Sequence, residues 1–403
     1  MSARGSSLFI PTFPGLQYDC EPTAISINRI EGTLNRNTGK QAMMKNCCLL
    51  GPFAVLLLTV CAAAQTFTIT EIGLLKGTNE SSGFWLNSSG AVVGCSDIAN
   101  GEGYPCTGTG AGQHAFYWTR TGGIKDLGVL PGGNISGAIG INNLGQVVGY
   151  SNTSTNPADL YNFIAFEWTS TGGMVNLGKL SGGNSSCAFE INTSGVIAGD
   201  SFVNATVVDA ASWTDKTIKN LGALPKSIFT AALDLNDSNE IVGESIFGYG
   251  PPFTSHGFKW TSAGGLKDLG TLSGGNTSLA NAINSSGIIV GQSNSKANSA
   301  WHAVKWSATN AIDDLGVLPG GTYSVAFAIN DSGEIVGYGD VAPNVPHAML
   351  WTSTRGMLDL NDLIPKGTGW VLINANAINS VGQITGYGTK GGQNRAFVLT
   401  PVE

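Results

Sequence analysis

This chain has few charged side chains and lacks the short motifs that mark common catalytic sites. Only 12% of its 403 residues are Asp, Glu, Lys or Arg, and the formal net charge is -7. No stripe of basic residues is present, which argues against nucleic acid and anionic membrane surfaces as partners. The patterns G-x-S-x-G, H-E-x-x-H, C-x-x-C and the P-loop are absent. We therefore expect no catalytic residue, no metal site and no cofactor.

Helical periodicity and cysteine are also scarce. After position 64, no segment places apolar residues at a helical period for long enough to form a helix. Three cysteines lie beyond that point: Cys95, Cys106 and Cys187. Cys95 and Cys106 flank a glycine-rich loop, and in an exported protein we predict that they form a disulfide. We predict that Cys187 is a buried free thiol.

The chain does contain one motif that is repeated seven times. Each copy has Ala or Gly four positions before an asparagine, Gly or Asn three positions after it, and Gly seven positions after it. The anchor asparagines are Asn87, Asn142, Asn192, Asn236, Asn284, Asn330 and Asn379. Their spacing of roughly 44 to 55 residues suits propeller blades better than helical solenoid repeats. Asn-x-x-Gly is typical of a turn whose last residue has positive φ.

The segments between these markers indicate four short strands in each copy. In one copy a run at 324–329 precedes the turn and a β-branched run at 334–338 follows it; in another, an aromatic pair lies at 115–118 and a fourth run at 124–127. The last copy lacks its fourth run, and residues 66–73 at the front supply the missing pattern. We predict an all-β fold over residues 65–403: a seven-bladed β-propeller of four-stranded antiparallel blades, with the ring closed by the N-terminal strand.

A recurring tripeptide begins the third strand of most copies. It reads His-Ala-Phe at 114–116, and variants stand at 256–258, 302–304, 347–349 and 395–397. Together with the repeat length, this tripeptide resembles the HAF-repeat family of extracellular repeat proteins over residues 66–401. The resemblance implies a secreted bacterial repeat protein, and it carries over no defined activity and no catalytic residues.

The start of the chain has a different character. Residues 1–42 have mixed polarity and no repeat, and we expect a disordered or non-native extension, with translation starting at position 43 or 44. Lys45, an apolar run at 49–60 and an A-x-A site at 62–64 predict a secretory signal peptide over residues 43–64. The run is short for a membrane span, so we expect no membrane insertion after its removal. Acylation at Cys61 is the alternative, although Val60 stands where a small residue is wanted.

Most residue types that could carry chemistry recur at fixed repeat positions, which favours structural roles. All four histidines share one position: His114, His256, His302 and His347. Blades hold equivalent positions apart, so we predict structural hydrogen bonds and no shared metal. Six tryptophans share another position, where packing between neighbouring blades is expected: Trp118, Trp168, Trp213, Trp260, Trp306 and Trp351.

Two further repeated positions are polar. The fourth strand carries Asp in four copies and Asn in two, and this exchange indicates a local hydrogen bond. The residues are Asp126, Asp268, Asp314, Asp359, Asn176 and Asn220. Turn formation explains the anchor asparagines, and a ring of amides around a channel is the alternative.

The variable parts of the repeats are loops. Four Gly-Gly loops, at 132–134, 182–184, 274–276 and 320–322, join the fourth strand of one blade to the next blade, and we expect them on the same face as the variable loops between strands two and three. Loops on a rigid scaffold commonly carry binding sites. The predicted ligand-binding residues are loop aromatics: Tyr104, Tyr161, Tyr249, Phe253 and Trp301. Trp85 and Trp370 also break the repeat pattern.

These observations predict a secreted or periplasmic, monomeric propeller that acts as a non-catalytic binding or structural module for an unknown extracellular glycan or protein. The alternative function is an extracellular glycan- or peptide-active enzyme with its site on the loop face, because propellers host many functions. A cell-surface adhesion array is a third option.

Overall fold

Short strands and tight turns account for nearly all of the chain that the structure describes. The computed structural model describes residues 65–97, 113–156, 162–248, 254–295 and 301–402. The predicted extension at 1–42 and signal peptide at 43–64 lie outside these ranges. Within them, the helical structure is one turn of 3-10 helix at Leu360–Asp362. Among the described residues, no helix is long and apolar enough to cross a membrane.

The described residues contain 28 strands. The first half comprises β1 Phe67–Glu71, β2 Glu80–Leu86, β3 Val92–Asp97, β4 His114–Thr119, β5 Gly123–Asp126, β6 Ser136–Ile141, β7 Val147–Asn152, β8 Phe163–Thr169, β9 Gly173–Asn176, β10 Ser186–Ile191, β11 Ile197–Phe202, β12 Val208–Thr214, β13 Thr217–Gly222 and β14 Phe229–Leu235. The second half comprises β15 Ile241–Phe247, β16 Thr254–Thr261, β17 Gly265–Asp268, β18 Ser278–Ile283, β19 Ile289–Asn294, β20 Trp301–Trp306, β21 Ile312–Asp314, β22 Ser324–Ile329, β23 Ile335–Ala342, β24 Val345–Thr352, β25 Gly356–Asp359, β26 Trp370–Ile378, β27 Ile384–Lys390 and β28 Gln393–Pro401.

Four antiparallel strands make up each repeat, as the sequence predicts, and in repeats 1 to 6 the four are successive. Repeats 1 to 6 consist of β2–β5, β6–β9, β10–β13, β14–β17, β18–β21 and β22–β25. The described residues form five four-stranded sheets, and repeats 3 and 4 are joined into an eight-stranded sheet by one parallel pair, Val208 with Phe229. Repeat 7 consists of β26–β28 and β1, because β1 pairs with β28 from Phe67 opposite Pro401 to Glu71 opposite Phe397.

Each first strand contains a bulge three residues before the anchor asparagine, and β26 has a second irregularity between Leu372 and Asn374. The extra residues are Phe84, Ile139, Phe189, Leu233, Asn281, Phe327 and Asn376. Next to the bulge, the backbone of the first strand approaches the second strand closely. A Cβ atom at Gly149 would lie 2.0 Å from the Gly137 carbonyl oxygen, and one at Gly243 would lie 1.9 Å from that of Ala231. This approach explains why glycine recurs seven positions after the anchor.

The apolar core lies between successive sheets. One cluster combines Val148 and Leu177 of repeat 2 with Trp213 of repeat 3. The Trp213 indole donates a hydrogen bond to the Leu177 carbonyl at 3.0 Å, and the Trp306 indole donates to that of Leu269 at 3.1 Å. The predicted packing of the repeated tryptophans between neighbouring repeats is therefore confirmed at these positions.

Candidate functional site

The repeated histidines form hydrogen-bonded pairs with the aspartates of the neighbouring fourth strand. The Nδ1–Oδ2 distances are 2.9 Å for His114–Asp126, 2.6 Å for His256–Asp268, 2.8 Å for His302–Asp314 and 2.6 Å for His347–Asp359. The carboxylate also accepts a backbone N–H two residues later, as Asp126 does from Gly128 at 2.7 Å. The predicted structural role of both residue types is confirmed.

The first pair illustrates the electrostatic effect. The hydrogen bond to Asp126 and its negative charge raise the pKa of His114, against the opposing effect of burial. Burial favours the neutral form of Asp126, but hydrogen bonds from His114 and Gly128 hold its pKa below the ordinary value. Each partner thus favours the charged form of the other.

Two departing repeats carry matched substitutes at this position. Repeat 3 has Asp209 and Asn220, whose side chains are 2.8 Å apart. Repeat 7 has Arg395 and Glu71 at 3.5 Å. Six repeats keep a bonded pair here although its chemistry changes, and repeat 2 has Ile164 and Asn176 instead, so the pair serves the contact between strands three and four. No group of three or more His, Cys, Asp or Glu side chains that could hold a metal ion is found in the described ranges.

The anchor asparagines have a second role besides the turn, whereas the sequence analysis favoured the turn and gave a ring of amides only as the alternative. Their Oδ1 atoms accept turn N–H groups, such as Ser89 and Ala91 for Asn87, as predicted. Each Nδ2 also donates to the backbone carbonyl of the next anchor, at 3.0 to 3.3 Å. The last of these bonds runs from Asn379 to Asn87 at 3.0 Å, so the series returns to its first member. Explaining these residues by the turn alone was therefore incomplete.

The Gly-Gly loops pack against the ends of the second strands. A Cβ at Gly133 would lie 2.0 Å from the Asn152 carbonyl oxygen, so glycine is required there. The Asn152 side chain accepts the N–H groups of Asn134 and Ile135, both at 2.9 Å. Asn294 and Asp340 make the equivalent bonds in repeats 5 and 6. The two sets of connections therefore meet on one face, which we call the loop face.

Few of the predicted ligand-binding residues can be compared with the structure. Tyr104, Tyr161, Tyr249 and Phe253 lie outside the described residues. Trp301 begins β20 on the loop face, is half-buried and pairs with Asn294. Whether these aromatics share a site stays a prediction.

The cysteines are described in part. Cys95 is disulfide-bonded. Cys106 lies outside the described residues, so its pairing with Cys95 stays a prediction. Cys187 is a free, buried thiol, as expected. Burial, followed by the nearby Asp200, raises its pKa.

A cleft of about 250 Å³ lies beside the connection between β25 and β26. This connection departs from the Gly-Gly pattern. The Asn361 side chain accepts the N–H of Leu372 at 2.8 Å and donates to the Leu372 carbonyl at 2.9 Å. The lining includes His347, Lys366, Thr368 and Trp370. The sequence singled out Trp370 as outside the repeat but gave no signal for the cleft.

Four buried carboxyl groups in repeats 3 and 4 were also missed. They are Glu190, Asp200, Asp234 and Glu244. Aligning the repeats could have revealed them, because the other repeats carry neutral residues two positions before and eight positions after the anchor asparagine.

Comparison with known proteins is informative about the fold. No family model and no curated protein matches the chain. Among solved structures, a puromycin hydrolase matches with a TM-score of 0.51 and 10% identity, over 81% of this chain and 52% of that chain. This chain thus spans about half the length of that protein. The likeness shows an all-β fold of the propeller type and nothing about activity.

Two further matches are weaker. TolB from Acinetobacter baumannii gives a TM-score of 0.41 at 11% identity, over 80% of this chain and 64% of that one. A Trypanosoma rangeli sialidase gives 0.42 at 9% identity, over 83% and 57%. Both scores are too low to inform the function.

Proposed function

We propose that residues 65–402 form a closed seven-bladed β-propeller that acts as a secreted, non-catalytic binding or structural module. The observation that carries the architectural part is the asparagine series, which passes through seven repeats and returns from Asn379 to Asn87. In an open array, the Asn379 side-chain amide could not reach the Asn87 carbonyl. Closure by β1 also removes two free sheet edges.

The contacts between repeats 7 and 1 are equivalent to those between successive repeats. The Ser81 hydroxyl accepts the N–H of Ala396 at 3.1 Å, just as Ser136 accepts that of Ala115 at 2.9 Å. The bulge residue Asn376 donates to the Gly83 carbonyl at 2.7 Å, as Asn281 donates to that of Ala326 at 2.7 Å. These equivalences support repeat 1 as the neighbour of repeat 7.

The repeated polar residues are used in hydrogen bonds that hold the scaffold together, which supports a binding role over catalysis. The anchor asparagines, the serine found six positions before five of them and the His–Asp pairs bond within and between repeats. Variation is concentrated in the loop face, where β23 and β24 are joined by a two-residue turn while Asp97 and His114 are separated by a long connection. A constant scaffold with variable loops is a common arrangement for binding proteins.

The location and partner belong to the same proposal. The pattern at 43–64 and the resemblance to HAF-repeat proteins support export, and the absence of a basic stripe supports an extracellular glycan or protein as the partner. N-terminal sequencing of the protein recovered outside the cytoplasm should begin at Gln65. A start at residue 1, or recovery only inside the cell, would contradict export. Size-exclusion chromatography should give a monomer.

The binding role can be tested by thermal denaturation of the purified protein with a panel of polysaccharides. A ligand that binds only the native state must raise the melting temperature. We expect one glycan class to raise it, and Trp301→Ala or Trp370→Ala to reduce the shift.

The matched control is Leu144→Ala. Leu144 is 74% exposed and lies in an anchor turn, at the opposite end of the second strand from the loop face. Leu144→Ala should leave the ligand-induced rise in melting temperature unchanged. A shift that Leu144→Ala removes but both tryptophan variants keep would contradict a site on the loop face.

One observation favours an enzyme as the second candidate function. His347 is held by Asp359 at 2.6 Å, and of the four repeated histidines it is the one that lines the described cleft, with Thr368 and Lys366. Such an imidazole could move a proton for an extracellular glycan or peptide substrate. Release of reducing ends or amines should then be lost in His347→Gln and kept in His302→Gln. Equal rates in both variants would reject this candidate.

A further inference from the structure

Two structurally equivalent positions carry carboxyl groups only in repeats 3 and 4. Glu190 and Asp234 follow the bulge of the first strand, where the other repeats have Trp85, Gly140, Ala282, Ala328 and Ala377. Asp200 and Glu244 follow the repeated glycine of the second strand, where the others have Cys95, Tyr150, Gln292, Tyr338 and Tyr387. All four acids are buried, with exposed fractions of 1 to 6%.

In the first pair, Asp234 connects the first strands of repeats 4 and 5, and Glu190 lies against repeat 2. Asp234 accepts the N–H of Leu235 at 2.7 Å and that of Ile283 in repeat 5 at 2.8 Å. Glu190 extends toward repeat 2, where a Cβ at Gly140 would lie 2.9 Å from its Oε2 atom. Gly140 therefore leaves the space that the Glu190 carboxyl occupies.

The second pair has fewer partners. Asp200 accepts a backbone hydrogen bond from Cys187, which lies opposite it on β10. Glu244 lies opposite Ala231 on β14, and its Oε2 atom has no hydrogen-bond partner among the described residues. An ionised carboxylate without a partner is costly to bury.

Among the residues that the structure describes, no positively charged group pairs with these acids. The groups that interact with them electrostatically are other acids: Asp234 with Glu190, and Asp200 with Glu244 and with the Cys187 thiol. The next titratable group outward is Tyr150, beside Cys187.

The pKa values follow from this environment. Burial raises the pKa of Asp200 to about 8 and, together with the charge of Asp200, that of Glu244 to about 8. Burial raises the pKa of Asp234 to about 7. Burial and the neighbouring Asp234 raise the pKa of Glu190 as well.

We propose that the boundary between repeats 3 and 4 is a pH-sensitive joint, which stays closed while these four carboxyl groups keep their protons and loosens when they ionise. Below about pH 4 the folded and unfolded chains both hold the protons. As the pH rises from there to about 8, the unfolded chain has released protons that the folded chain still binds, so the stability falls. The stabilisation is complete in acid and is lost as the pH passes through the folded-state values of about 7 to 8.

The test is hydrogen exchange of the full chain between pH 5 and 9, corrected for the intrinsic exchange rate. Peptides from β10–β15 should lose protection as the pH rises, while peptides from β22–β25 should change little. The melting temperature should fall by roughly 5–10 °C over this range. A uniform loss of protection over all repeats, or a flat melting profile, would overturn the proposal.

A matched pair of double variants separates the joint from general charge effects. Asp200→Asn with Glu244→Gln should remove at least half of the pH dependence. Asp215→Asn with Asp313→Asn changes two exposed carboxylates and should keep it. If both double variants retain the wild-type slope, the buried carboxyls are not its source. If the first variant does not fold, the regional exchange of the wild-type chain still decides.

Discussion

Two boundaries between repeats use the same scaffold but differ in the groups they bury. At the boundary from repeat 7 to repeat 1, Asn379 bonds the Asn87 carbonyl and the bulge amide of Asn376 bonds Gly83. At the boundary from repeat 3 to repeat 4, Asn192 bonds the Asn236 carbonyl in the same way, but the positions around it carry the carboxyls of Glu190 and Asp234. The repeated bonds define the architecture, and the variable buried positions determine how each boundary responds to pH.

The largest effect is expected from truncating a buried aromatic side chain at the boundary from repeat 7 to repeat 1. Phe67 of β1 is 1% exposed and packs in the cluster that joins repeats 6, 7 and 1. Phe67→Ala should cost about 3–5 kcal/mol of unfolding free energy, measured by denaturant titration. Thr68→Ala, at the exposed neighbouring position, is the control and should cost far less. A similar small loss for both variants would mean that β1 contributes little to the fold.

A smaller effect of opposite sign is expected at the second boundary. Glu244→Gln should stabilise the protein by about 1–3 kcal/mol at pH 9, because it removes a buried ionised group. At pH 4, where the carboxyl keeps its proton, the two proteins should have similar stability.

The equivalent position in repeat 5 allows the reverse experiment. Gln292→Glu should introduce the same sensitivity there, since Gln292 is also buried and its Oε1 atom has no hydrogen-bond partner among the described residues. Unfolding should become easier at pH 9 than at pH 4. Equal stability at the two pH values would show that burial at this position does not perturb a carboxyl.

The smallest effect is expected at the outer His–Asp pairs. The side chains of His114 and Asp126 are 30% and 48% exposed, so His114→Ala should cost less than about 1 kcal/mol. The raised pKa of His114 adds stability that is lost as the pH rises through that value. The lowered pKa of Asp126 adds stability that is lost as the pH falls below its ordinary range. The difference between variant and parent, followed by thermal denaturation, should therefore be greatest between about pH 4 and 6.5. A difference that is large at pH 9 would contradict this assignment.

The parts of the fold that follow from local patterns could be predicted from the sequence. The Asn-x-x-Gly turn depends on four consecutive residues, and Asn239, which replaces Gly in repeat 4, has a φ of 59° as that position requires. Four strands per repeat follow from the alternation of apolar runs and turns. The missing strand of repeat 7 was recognisable because six other copies showed what it should contain.

The rest depended on contacts between copies. The Nδ2 bond of each anchor reaches a residue 44 to 55 positions away in the first three repeats, so only the arrangement of the sheets reveals it. The buried carboxyls were missed because Asp and Glu are usually exposed, and nothing local to Glu244 indicates that it lies inside. The cleft near His347 arises from an irregular connection that has no counterpart in the repeat.

The central claim is that repeat 7 is followed by repeat 1 in a closed ring. Asn142 and Asn379 are matched, since each Nδ2 also donates to a glutamine side chain, at 2.7 Å to Gln146 and 2.9 Å to Gln383. Replacement by Asp keeps the turn acceptor and removes the donor. We would compare the unfolding free energies of Asn142→Asp and Asn379→Asp. Closure predicts equal losses, of about 1 kcal/mol or more. A clear loss for Asn142→Asp with none for Asn379→Asp would contradict it.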